Sequence, residues 1–190
     1  MEPIDFGPGR VPLRSIEFNF YATTSVLCYN SALRRALAIP AFDEHGSLPP
    51  GIYEATWSEI VDRFGGTPKR QQLLAGLRAA LDLLAVCGCR RAWLDGSFVT
   101  DVEQVEGRLP GDVDVCWEIT GVDLAQLSAL APELHPLSGA PAVRHQRYGG
   151  DYFAVNEPLA PGMVEQFQWA RGARRKGIVV LEPAEGRDKR

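Results

Sequence analysis

Apolar positions recur along the middle of the chain in two rhythms. Leu73, Leu77, Ala80, Leu81 and Leu84 stand close to 3.6 residues apart in multiples, which predicts an amphipathic helix. Thr67 suits its cap, Pro68 its first turn, and Gly88 its end. A shorter helix precedes it: Thr56 and Glu59 have the spacing of a capping box, Ile60 and Phe64 share a face, and Gly65-Gly66 stops it. Over residues 112–119 the rhythm changes to two. Val113, Val115, Trp117 and Ile119 alternate with Asp112, Asp114, Cys116 and Glu118, as in a strand with one face in the core. Residues 91–94 read as a short strand before it, with a polar loop between.

The remaining segments are shorter. Leu124, Leu127 and Leu130 predict a helix over 122–130, capped by Asp123 and closed by Pro132, and residues 142–148 a turn of helix. Gly149-Gly150 releases the chain into a strand over 151–155, and Pro161 opens a helix over 161–170. Residues 177–181, GIVVL, are apolar without alternation, as in a strand buried on both sides. Residues 39–56 are rich in turn formers. Residues 1–38 show no clean period and read as an irregular extension, and 184–190 as a charged tail. The expected architecture is α+β: a small mixed β-sheet flanked by helices over residues 39–183.

Composition adds limits. A chain of 190 residues that is 45% hydrophobic can build one full core. Its formal charge of −4 argues against a general polyanion binder, although basic residues gather toward the C-terminus at Arg171, Arg174, Arg175 and Lys176. Cys87-Gly88-Cys89 is spaced too closely for a zinc ribbon, and four cysteines without a paired pattern suit a reducing cytoplasm. No apolar run is long enough to predict a membrane span. His45, His135 and His145 lack metal-ligand spacing and read as surface or local structure.

The chemistry concentrates between Leu94 and Glu118. A Gly-Ser turn, Gly96-Ser97, follows an apolar run; Asp112 and Asp114 then share one strand face. Two like charges on a half-buried sheet repel each other, and a divalent cation relieves that. A glycine lets backbone approach a phosphate closely, and Ser97 can donate to its oxygens. Asp151, opening a later strand, is the candidate third carboxylate. Either motif alone is common in chains of this size.

Taken together, Gly96-Ser97 followed by Asp112-Val113-Asp114 resembles the signature of the DNA polymerase β-like nucleotidyltransferase superfamily, with the spacing at its long end. RAWLDGSFVT, PGDVDVCW and FQWARGARRKGIVVLE are also similar to a family of small bacterial proteins of undetermined function that keep this core. Those begin near the equivalent of Ile39, which raises the expectation that the start assigned here lies too far upstream.

The resemblance implies that Asp112, Asp114 and Asp151 are catalytic and hold two Mg²⁺ ions. It further implies that Gly96 and Ser97 place the triphosphate of an NTP, with ATP as the first choice. Arg171 and Lys176 would meet the triphosphate or an acceptor's phosphate. The implied activity is transfer of a nucleoside monophosphate to an acceptor hydroxyl on protein or RNA. The alternative is a non-catalytic protein of the same fold, such as a toxin–antitoxin component that binds a partner from a linked gene. A sugar-nucleotide glycosyltransferase is disfavoured, because too little regular structure precedes the aspartates.

Overall fold

The computed structural model describes residues 39–156, 161–170 and 174–185. The expected extension over residues 1–38, Arg171 and most of the expected tail lie outside the described residues. In chain order the elements are β1 (Gly51–Glu54), α1 (Trp57–Phe64), α2 (Pro68–Val86), β2 (Ala92–Asp95), a 3₁₀ turn (Gly96–Val99), α3 (Val102–Glu106) and β3 (Val113–Glu118). Then follow α4 (Leu124–Leu130), a 3₁₀ turn (Pro132–Leu134), α5 (Pro141–Tyr148), β4 (Gly150–Val155), α6 (Pro161–Phe167), β5 (Trp169–Ala170), β6 (Arg174–Arg175) and β7 (Gly177–Leu181).

Five strands form one mixed sheet in the order β1-β7-β2-β3-β4. The β1–β7 and β3–β4 pairs are parallel; β7–β2 and β2–β3 are antiparallel. With helices between the strands, the fold is α+β. β5 and β6 make a separate antiparallel ribbon. Among the described residues no helix is long and apolar enough to cross a membrane.

Local chemistry starts the helices. Thr56 Oγ1 accepts from the Glu59 N–H at 3.2 Å while Glu59 Oε2 accepts from the Thr56 N–H at 2.7 Å, so the capping box closes both ways. Thr67 caps α2 on the Arg70 N–H, with Pro68 in the first turn. The buried face of α2, from Leu73 to Leu84, packs with Phe64, Phe98, Val113, Val115 and Trp117 in the main core. Cys87 and Cys89 are buried there too, and burial pushes the Cys89 thiol up to about 11.

Several expectations are corrected. Residues 51–54, read as turn-rich, form β1, because they pair with β7 in register from Gly51↔Gly177 to Glu54↔Val180. The polar loop between β2 and β3 contains α3, capped by Asp101 on the Gln104 N–H at 3.2 Å. The helix expected over 161–170 stops at Phe167, since Trp169 and Ala170 pair with Arg175 and Arg174. The aspartate face of β3 is also mostly covered. Cys116 is fully buried with Trp93, Val155, Val164, Ile178 and Val180 in a second core on that face. On that face Asp114 and Glu118, toward the two ends of β3, stay partly exposed.

Candidate functional site

Register brings the acids together. Asp114 lies opposite Asp95 in the β2–β3 ladder and opposite Asp151 in the β3–β4 ladder. Adjacent strands run about 4.8 Å apart, so three carboxylates form a row across β2, β3 and β4 on one sheet face. The same face, two residues away on each strand, carries the buried Trp93 and Cys116 and the partly buried Phe153. Lys176 keeps this alternation ahead of Ile178 and Val180, and joins the row at the other side of Asp95. Asp112 sits one step before β3 and is half-buried.

These charges are unequally balanced. The Lys176 ammonium, 7% exposed, is hydrogen-bonded to Asp95 Oδ1. Burial still pushes the Asp95 carboxyl up, against the pull of Lys176 and of the Gly96 N–H. Asp151 has His145 Nε2 at 3.1 Å and Arg144 Nη2 at 3.9 Å. Asp112 and Asp114 form no hydrogen bond or ion pair through their side chains with any described residue. The Asp114 carboxyl is pushed up to about 6, first by burial and then by repulsion from Asp112, Asp95 and Asp151, with Lys176 only partly offsetting this. Among the described residues no group of three or more His, Cys, Asp or Glu converges as a ready-made ion cage.

The Gly-Ser turn is held against this row from two sides. Gly96 has φ +78°, and a Cβ there would overlap Asp114 Oδ2. The glycine therefore makes room for the carboxylate itself, a nearer reason than phosphate approach. Ser97 Oγ accepts from the Gly111 N–H at 3.3 Å, tying the turn to the residue before Asp112. From behind, Arg70 is buried and donates to Phe98 O and Thr100 O at 2.6 Å each, and to Glu103 through Nε at 2.6 Å and Nη2 at 2.7 Å.

A Gly96→Ala change is expected to cost at least about 1–3 kcal/mol from the positive φ alone. The overlap with Asp114 adds to this, so the penalty should shrink in an Asp114→Ala background. Urea denaturation of the four members of that double-mutant cycle measures the coupling. Equal penalties in both backgrounds would show that Asp114 does not fill the space at Gly96.

Gly96, Ser97, Asp112, Asp114 and Lys176 all line a cleft of about 910 Å³. The loop at Gly46 and Ser47 also lines it, together with Trp169 and Arg174 of the β5–β6 ribbon. Arg174 is fixed by Ser47 Oγ at 3.0 Å and Asp43 Oδ2 at 3.4 Å. Trp169 is 46% exposed in this cleft.

Asp112, Asp114, Gly96, Ser97, Lys176 and Asp151 are thus gathered at one end of the sheet, with Asp151 beside Asp114 rather than on the cleft wall. Sequence reasoning missed Asp95, Arg70, Arg174 and His145. Asp95 had a signal, a carboxylate ending an apolar strand next to Gly96-Ser97. Residues 40–182, well over half of the chain, match the model of a family of unknown function (DUF6932), and the chain belongs to that family. Comparison with curated proteins and with solved structures gives no match.

Proposed function

We propose that the protein is a metal-dependent nucleotidyltransferase, which moves a nucleoside monophosphate from an NTP to an acceptor hydroxyl and releases pyrophosphate. The observation that carries this reading is the uncompensated pair Asp112 and Asp114, in an open cleft beside a tight Gly-Ser turn. Asp95 is hydrogen-bonded to Lys176, and Asp151 has His145 at 3.1 Å and Arg144 at 3.9 Å, whereas this pair has no such side-chain partner among the described residues. Mg²⁺ commonly binds through one or two carboxylates plus substrate phosphates rather than in an all-protein cage, so a site without three converged ligands fits it.

Asp112 and Asp114 are the residues that would hold Mg²⁺, with Asp151 adjoining. When bound, the metal supplies charge neutralisation and Lewis-acid polarisation of the phosphates. Ser97 Oγ accepts from Gly111, which leaves its own proton to donate to a phosphate oxygen. Lys176, held by Asp95, keeps a fixed positive charge beside the row rather than reaching out to the triphosphate. Arg174, already oriented by Ser47 and Asp43, is the cleft-lining cation suited to meet phosphate. Asp151 is the group to take the acceptor's proton, with His145 beside it to stabilise or receive that charge.

The test is transfer of label from α-³²P-labelled ATP, CTP, GTP and UTP, with Mg²⁺ and cell extract as the acceptor source. Wild-type protein should label an acceptor, and Asp112→Asn should reduce the rate by about 10²-fold or more, the loss typical of a displaced electrostatic group. Identical labelling by both proteins would overturn the reading and favour a partner-binding role.

A further inference from the structure

A second cavity, of about 380 Å³, opens between α2 and α5. Lys69 and Gln72 line it from α2, and His145, Gln146 and Arg147 from α5. The two helices are locked close together here, since a Cβ on Gly76 would fall 2.6 Å from Tyr148 O. Ala75 and Gly76 line it with little side chain.

Its position relates it to the aspartates. Gly111 lines both this cavity and the main cleft, and the next residue is Asp112. His145 lines it while its Nε2 lies 3.1 Å from Asp151 Oδ2, and Asp151 is the register partner of Asp114. None of the row's carboxylates lines the cavity; it borders the row through His145, on the Asp151 side, where the NTP cleft does not.

Its charge is opposite to that of the cleft. No carboxylate is among its lining residues, whereas Lys69 and Arg147 are. Arg147 shares its charge with buried Glu133, through Nη1 at 2.6 Å from Oε1. Lys69 has no partner among the described residues. Gln72 and Gln146 add neutral donors and acceptors suited to sugar hydroxyls.

We propose that this cavity seats the acceptor, and that the acceptor is a sugar hydroxyl with a phosphate nearby, free or at the end of an RNA strand. This rests on the nucleotidyltransferase reading. Lys69 and Arg147 hold the acceptor's phosphate and direct its hydroxyl toward Asp151. The hydroxyl oxygen then bonds to the α-phosphorus of the NTP, the bond from that phosphorus to pyrophosphate breaks, and the hydroxyl proton passes to Asp151.

The test is an NMR titration of the ¹⁵N-labelled full chain with ribose 5-phosphate, with ribose, and with a short oligoribonucleotide, in EDTA and without NTP. Ribose 5-phosphate should shift the Gly76, Gly111 and Gly149 amides, and ribose should not. Lys69→Glu should weaken binding about tenfold, the scale of one lost charge contact. Ala75→Trp should do the same by occluding the cavity while leaving every charge in place.

An oligoribonucleotide that binds more tightly, with the same Lys69 dependence, supports the seat and identifies an RNA end as the acceptor. Ribose 5-phosphate binding alone supports it and identifies a small phosphorylated sugar. Equal shifts with ribose, or affinity unchanged in both variants, overturns the proposal. The titration contains neither NTP nor metal, so its failure is distinguishable from a failure of label transfer.

Discussion

Asp114→Asn is expected to raise the melting temperature at pH 7.5 while removing nucleotidyl transfer. The two effects share one origin. In the folded protein the Asp114 carboxyl titrates at about 6, raised by burial and by three neighbouring aspartates. An unfolded chain returns it to about 3.9. Because the folded value is the higher one, the native state binds more protons between those pH values, and stability falls as pH rises from about 4 to about 6. Above that window the wild type carries the full cost of an ionised Asp114. Asparagine keeps the shape and removes the charge.

Allowing for the solvent that reaches this half-buried group, the gain is about 1–2 kcal/mol, or about 2–8 °C for a chain of this size. Mg²⁺ should raise the wild-type melting temperature and leave that of Asp114→Asn nearly unchanged, because binding to the native state alone is what stabilises. Differential scanning calorimetry at pH 5 and 7.5, with and without Mg²⁺, checks every part. A variant less stable than wild type at pH 7.5 would mean that Asp114 is a structural carboxylate, and the site would lose its central member.

A charge that destabilises its own fold is legible in sequence only when strand alternation exposes it. Asp112-Val113-Asp114 did so because Val113, Val115 and Trp117 fix which face is core, and the capping signals at Thr56 and Thr67 are equally local. What escaped depends on distant pairing. β1 is four residues long after two prolines, and only its ladder with β7, far along the chain, makes it a strand. Lys176 reads as a phosphate-binding cation until the sheet order sets it against Asp95, and His145 as a surface histidine until α5 and β4 fold back on each other. α3 is different. Asp101 and Gln104 carried a recognisable capping pattern, obscured by the polar character of the loop.

Arg70 is the clearest case of a long-range role hidden in a local pattern, and its replacement should be the most destabilising single change at the site. As half of Lys69-Arg70 at the start of a helix, it reads as a solvated charge. In the structure it is 6% exposed, and its guanidinium meets two backbone carbonyls of the Gly-Ser turn segment and the Glu103 carboxylate. Hydrogen bonding from Arg70 in turn holds the Glu103 carboxyl below its ordinary value. Glu103's contribution is therefore present above the ordinary glutamate range and lost only as pH falls through its lowered value, in the opposite sense to Asp114.

Arg70→Ala strands the Phe98 and Thr100 carbonyls and leaves Glu103 without its partner, at a cost of about 3–5 kcal/mol. That is a large share of the 5–15 kcal/mol by which domains are typically stable. Arg70→Lys restores the charge but not the planar fork, so it should recover only part of the loss. The Gly-Ser turn should loosen with it, and transfer should fall even where the protein remains folded. Urea denaturation of both variants, paired with transfer assays well below their midpoints, separates the effects. Wild-type stability in Arg70→Lys would reduce the brace to a point charge, and the geometry of the turn would then rest on Gly96 and Ser97 alone.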